Sequence, residues 1–224
     1  MEVKYNFEFD DDKDLSYEID VERSGMRNNV DKNSAPDWVL LAHCKCSNCP
    51  LSESDTPVCP AAFDIQDVIE DFQSKPASQK VNINVIASDR SYSKRTNVEE
   101  GLRSLMGLIL ATSQCPILSQ LKPMAIHHMP FSSSNEFILR SVSVYLLQQY
   151  FEYREDRVPD WDLKGLINRN KQLQLVNQAL WQRVHLDNDN DSNLKTLLSF
   201  FSMSSSVSVS LESQLQKLRA SLDG

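Results

Sequence analysis

Hydrophobic and polar residues alternate with period two near the start of the chain. Val3, Tyr5, Phe7 and Phe9 share one side of residues 3–9, and Leu15, Tyr17, Ile19 and Val21 share one side of residues 15–21. Such alternation marks half-buried strands. The acidic run 10–14 between them predicts a turn, and so a hairpin with Phe7, Phe9, Tyr17 and Ile19 inward and Glu8, Glu18 and Asp20 outward. Ser24, Gly25, Asn28, Asn29, Asn33, Ser34 and Pro36 make residues 23–36 a polar loop. The apolar run 38–42 predicts a third strand, and Val81, Ile83 and Val85 a fourth, reaching residue 87. Between those two, Phe63, Ile65, Val68, Ile69 and Phe72 have the spacing of a short helix.

From Thr96 the period turns helical. Thr96 with Glu99 fits a capping box, and Val98, Leu102, Leu105, Met106, Ile109 and Leu110 then share a face. Pro116 and Pro123 break that pattern, and Ser133 with Glu136 opens a helix through Tyr145, Leu147 and Phe151. Asp160 is placed to cap a long helix carrying Leu163, Leu166, Ile167, Leu173, Val176, Leu180 and Val184. Leu194, Leu197, Leu198 and Phe201 predict another helix. Leu211, Leu215, Leu218 and Leu222 form a short a/d seam in the tail, suited to docking on the domain or pairing with a second copy. The fold class is therefore α+β. Residues 1–95 form an antiparallel sheet of about four strands with a cysteine loop, and residues 96–224 form a helical bundle.

Composition narrows the function. With 224 residues, 41% of them hydrophobic and 24% charged, the chain can bury a sizeable core. Its net charge is -8, and residues 1–20 alone hold eight acidic side chains against two lysines. That acidic face disfavours nucleic acid and anionic membrane as partners. The longest apolar run, residues 105–111, falls well short of the roughly 20 residues of a membrane helix. No secretory signal is visible, so a cytoplasmic setting is expected. Five glycines leave no phosphate loop and no dinucleotide fingerprint.

The candidate chemistry lies in the cysteines. Cys46 and Cys49 form a CxxC pair, Cys59 follows ten residues after Cys49, and Cys115 stands far along the chain. Without an export signal, five cysteines point to thiols or metal ligands rather than disulfides. A CxxC can deliver two thiolates to one tetrahedral ion at about 2.3 Å. Cys46, Cys49 and Cys59 would supply three ligands to zinc. Cys115 or His128 would be the fourth, with His43 and Cys44 as local alternatives. Buried reduced thiols are the competing reading, and a redox pair or an iron–sulfur cluster the others.

Three other patterns bear on function. Asp187, Asp189 and Asp191 alternate as in a calcium loop, but Ser192 and Leu198 stand where glycine and glutamate are needed. Arg90, Lys94, Arg95 and Arg103 could hold an anion, or pair with Glu99, Glu100 and the acidic hairpin. Asn170 and Asn177 lie beside an apolar stripe and are expected to be buried and hydrogen-bonded.

The run Cys46-x-x-Cys49-Pro50-Leu51 and Cys59-Pro60-Ala61 resembles a bacterial family without assigned activity, a domain of unknown function. So do the stretch from Gly101 to Leu108, Ser113-x-Cys115-Pro116, Pro123-Met124-Ala125-x-x-His128-x-Pro130-Phe131 and the Tyr145–Phe151 segment. The resemblance spans most of residues 36–185, and implies a bacterial, cytoplasmic protein. It groups Cys46, Cys49, Cys59, Cys115 and His128 as pattern positions and leaves His43, Cys44 and His127 outside. Gln114 departs from the glycine expected there.

The expectation is a non-enzymatic protein with a structural zinc site and a surface for an unknown protein partner. A homodimer through the C-terminal helix is a possible assembly. The alternative is an enzyme with Cys115, His128, Arg90 and Arg140 converging in a cleft.

Overall fold

The structure is a computed structural model. It describes residues 1–10, 12–26, 35–54, 56–186, 215, 216 and 219. Four strands, β1 (Glu2–Phe9), β2 (Leu15–Asp20), β3 (Lys80–Ile86) and β4 (Ser91–Asn97), form one antiparallel sheet in the order β2-β1-β3-β4. Among the described residues, five helices accompany it: α1 (Pro60–Phe72), α2 (Val98–Ala111), α3 (Lys122–Ile126), α4 (Ser134–Arg154) and α5 (Lys164–Leu186).

Period-two alternation fixes the register. Tyr5 lies opposite Tyr17 on one side and Val85 on the other, and Phe7 opposite Leu15 and Ile83. A slip of one residue would turn this whole apolar face to water. Val3, Tyr5, Phe7, Ile19, Val81, Ile83 and Val85 are buried on that face, with Phe9 and Tyr17 beside them, while Glu8, Glu18 and Asp20 face solvent. Helices α1 and α2 cover the face. Phe72 of α1 packs edge-on against Phe7 at 5.1 Å between ring centres. In α2, Leu102, Leu105, Met106 and Ile109 are buried, as their helical spacing requires.

One large core draws residues from the sheet, α1, α2 and α5. A smaller cluster joins Ile138 and Val142 of α4 to Leu163 and Leu166, with Leu215 packed against it. Arg23 enters the main core, where its guanidinium pairs with the fully buried Asp64 of α1 at 2.6 Å.

Several expectations are corrected. Residues 38–42 are not a strand: Asp37–Val39 is a 3-10 turn, and Leu40 makes only an isolated bridge to Val58. Pro36 and Asp37 favour a helical start, which outweighs the short apolar run. The fourth strand is β4, which carries no apolar alternation. Its lysine and arginine make it a guarded sheet edge. The cap of α2 is Asn97, whose side chain accepts from the Glu100 N–H at 2.9 Å, while Thr96 instead bonds the Glu100 carboxylate. The Ser133–Glu136 capping box forms as predicted. The Asp160 carboxylate accepts the Gly165 N–H at 2.6 Å in the first turn of α5. Asn170 and Asn177 are buried, but the Asn170 amide nitrogen has no hydrogen-bond partner. The tail seam and the aspartate run at 187–191 lie outside the described residues, apart from Leu215.

Candidate functional site

A cavity of about 160 Å³ opens beside α2. Glu100, Arg103, Ser104, Gly107, Leu108 and Ala111 line it from α2. Their three- and four-residue steps are one stripe of a helix surface, which the apolar face toward the sheet leaves outward. Leu121, Met124 and Ala125 come from α3 and the turn before it, Met129 and Phe131 from the next loop, and Phe137 and Arg140 from α4. The walls are thus mainly apolar, with two guanidinium groups.

His128 also lines the cavity, and its ring is fixed from behind. Its Nε2 lies 2.5 Å from the Tyr5 hydroxyl, which lies 2.7 Å from Ser104 Oγ. The Phe131 N–H donates to that same Oγ at 3.3 Å. Two proton arrangements satisfy all of them: Ser104 O–H to Tyr5 and Tyr5 O–H to His128 Nε2, or His128 Nε2–H to Tyr5 and Tyr5 O–H to Ser104, with Phe131 N–H on Ser104 in both. Burial, and then the nearby Arg140 charge, push the His128 pKa down to about 4, so the ring is neutral near pH 7. Burial raises the Tyr5 pKa, which keeps its hydroxyl protonated as a donor. Phe131 holds a φ of 62°, the left-handed region that side chains rarely adopt, and this turn aims its N–H at Ser104.

The two arginines differ. Arg140 donates through Nη2 to the carbonyls of Met124 and His127, at 2.9 and 2.6 Å, and so ties α4 to α3. Arg103 pairs with Glu99 at 3.1 Å through Nη2, but its Nε is buried and has no partner. The rest of the basic cluster is spent in surface pairs: Lys94 with Glu100, Arg95 with Asp10, Arg90 with Asp89.

The cysteines lie elsewhere. Cys46 and Cys49 stand on the loop after the 3-10 turn, Cys59 is the residue before α1, and Cys115 follows α2. Cys59 and Cys115 are buried and the loop pair is half-buried. Burial pushes the Cys46 thiol up to about 12, and the neighbouring Cys59, Cys115 and Cys49 add to the rise. Cys115 rises to about 11, again by burial first. The loop is docked on α5, where the Asn48 side-chain amide donates to the Gln172 side-chain oxygen at 2.7 Å. Among the described residues, no group of three or more His, Cys, Asp or Glu stands ready around one ion.

Two of the four residues proposed for a catalytic cleft, His128 and Arg140, do share the cavity. Cys115 is buried past the end of α2 and does not line the cavity, and Arg90 is on the exposed β3–β4 turn, so the structure does not assemble that quartet. Local pattern held no sign of the Tyr5–Ser104–His128 chain of contacts, whereas Arg103 belonged to the basic cluster read as a candidate anion site and is the member of that cluster that lines the cavity.

Sheet, covering helices and cavity define a two-layer α+β protein with a partly open cavity beside α2. The chain belongs to the family described as a domain of unknown function (DUF6901), whose profile matches residues 3–223. No curated protein and no solved structure matches it. Among the described residues, no helix is long and apolar enough to cross a membrane.

Proposed function

We propose that the protein is a non-catalytic binding protein that takes a small carboxylic acid with an apolar body into the cavity beside α2. The carrying observation is Arg103, whose Nε is a buried donor without a partner and which, with Arg140, lines a cavity of mainly apolar walls. A buried unsatisfied donor costs stability, and an anionic acceptor relieves that cost. Arg140 adds a second positive charge, while Glu100, the acidic lining residue, is already held by Lys94 and Thr96.

The volume sets the ligand's size. A cavity of about 150 Å³ accommodates one benzene ring. The body that fits here is a single ring or a short branched chain, with its carboxylate at the arginines. Catalysis is not favoured, because Ser104 and His128 are both committed to Tyr5 and no nucleophile–base pair faces the cavity.

Titration calorimetry with benzoate, benzyl alcohol and Arg140→Gln tests this reading. Benzoate should bind, and benzyl alcohol roughly ten- to a hundredfold more weakly, as the loss of one charged hydrogen bond predicts. Arg140→Gln should weaken benzoate by a similar factor while circular dichroism stays unchanged. Equal binding of acid and alcohol, or none at millimolar concentration, would sink the proposal.

An interaction surface for a protein partner has its best place on α4. Leu147 and Phe151, one helical turn apart, are each more than half exposed, with Tyr150 beside them. Light scattering on the wild type and on Leu147→Glu/Phe151→Glu would show whether a second copy is that partner.

A further inference from the structure

We infer that Tyr5 is a positioning residue for the cavity: its hydroxyl holds His128 in the form that carries its proton on Nδ1, so that the ring offers a donor to a bound carboxylate. The inference rests on the cavity reading above. It adds the group that separates an acid from a neutral ligand of the same shape.

Tyr5 itself is fully buried on β1 and does not line the cavity. Its hydroxyl meets Ser104 Oγ at 2.7 Å and His128 Nε2 at 2.5 Å, and both of those residues do line the cavity. The histidine is held from two directions. Arg140 clamps the backbone before it, through the carbonyls of Met124 and His127. Tyr5 anchors the ring, with 5.9 Å between the ring centres. Turning the imidazole over would set a ring carbon against the Tyr5 hydroxyl and lose the bond, so Nδ1 is the one ring nitrogen left for a ligand.

Counting hydroxyl hydrogens sets the direction of the chain. Ser104 Oγ accepts the Phe131 N–H at 3.3 Å in either arrangement. When Ser104 donates to Tyr5 and Tyr5 to His128, both hydroxyl hydrogens have acceptors. In the reverse arrangement Tyr5 donates to Ser104, and the Ser104 hydrogen has no acceptor among the described residues. It is left to a cavity of mainly apolar walls, and an unmade hydrogen bond there is costly. The chain therefore runs toward the ring, each donor polarising the next. A neutral imidazole carries one N–H, and with Nε2 accepting, that N–H is on Nδ1.

This direction matters to an anion. A carboxylate offers about four acceptor positions and has Arg103 and Arg140 beside it in the cavity. The Nδ1–H group adds a neutral, directed donor to those two charges. The reverse arrangement would turn a nitrogen lone pair on the carboxylate instead. Tyr5 thus sets the preference for an acid without touching it.

The test joins spectroscopy to binding. Long-range proton–nitrogen spectra of the isotope-labelled full chain report which ring nitrogen bears the proton, and His128→Gln identifies its signals among the four histidines. Wild-type protein should show His128 protonated on Nδ1, both free and with benzoate. Tyr5→Phe should give a mixture of the two forms and bind benzoate about tenfold more weakly, as loss of a directed hydrogen bond to an anion predicts. Its binding of benzyl alcohol should not change. Wild-type His128 protonated on Nε2 overturns the inference whatever the variant does. So does a Tyr5→Phe protein that binds benzoate as the wild type does, or that loses acid and alcohol in equal measure. Wild-type protein that binds no benzoate sinks the cavity reading and this inference with it, whereas benzoate bound beside an Nε2-protonated ring sinks this inference alone.

Discussion

The Tyr5 hydroxyl and His128 Nε2 are 123 positions apart in sequence and 2.5 Å apart in space. The bond joins the central strand of the sheet to the loop after α3, across the stripe of α2 that lines the cavity. Either atom can donate in this pair, but burial and the Arg140 charge require the imidazole to stay neutral near pH 7.

That requirement makes stability depend on pH. The unfolded chain takes up this proton near pH 6.5, whereas burial and Arg140 hold the folded pKa at about 4. Between those values the unfolded state binds more protons, so stability falls as pH drops from about 6.5 to 4 and is unaffected above that window. The loss from this one group is roughly 3 kcal/mol. Denaturant titrations from pH 4 to 7 should show a steep acid limb, and His128→Gln, which keeps an acceptor for Tyr5, should flatten it by about that amount. Parallel limbs for the two proteins would show that His128 is not the group involved.

Arg23 and Asp64 form a buried pair with a different sensitivity. Arg23 also reaches the Ile109 carbonyl and Thr112, so it links the chain after β2 to both covering helices. Arg23→Ala would take the guanidinium away from a fully buried carboxylate, and should cost about 3–5 kcal/mol. Replacing both partners with apolar residues, Arg23→Met with Asp64→Leu, should restore most of that loss. Urea unfolding of the single and double variants distinguishes the cost of an orphaned charge from the value of the pair.

Gly101 is where α2 presses closest on the sheet. A Cβ there would lie 2.2 Å from Ile83 Cδ1 and 2.6 Å from Phe7 Cε1. The isoleucine tip can yield, but the Phe7 ring is locked between its strand and Phe72. Gly101→Ala gains about 1 kcal/mol of helix propensity and loses about 1–3 kcal/mol to overpacking. The melting temperature should therefore fall. A rise would mean that α2 can lift from the sheet without penalty.

Local pattern made much of the fold legible. The hairpin, β3, α1, α2 and the Ser133 capping box all follow from periodicity and capping, which act over a few residues. β4 was not legible, because Lys94, Arg95 and Thr96 have no strand pattern of their own. They extend because β3 offers an unpaired edge, and the acids Asp10 and Glu100 lie within reach of two of them. Residues 38–42 misled for the converse reason: an apolar run says that a segment is buried, not which backbone shape buries it.

The candidate sites divide in the same way. By itself the sequence put Cys46 and Cys49 three positions apart on one loop, and left Cys59, ten positions on, free to approach them or not. It also determined which face of α2 is core. Only the tertiary structure decided that His128 belongs to the cavity with Arg140 and Arg103. It alone brought Arg183 onto the carbonyls of Trp38, Leu40 and Leu41. Those pairings span tens of residues or more, and which partner closes is set by how α2, α3 and α5 pack on one sheet. Packing of that kind is a cooperative property of the whole core, and no local window of residues encodes it.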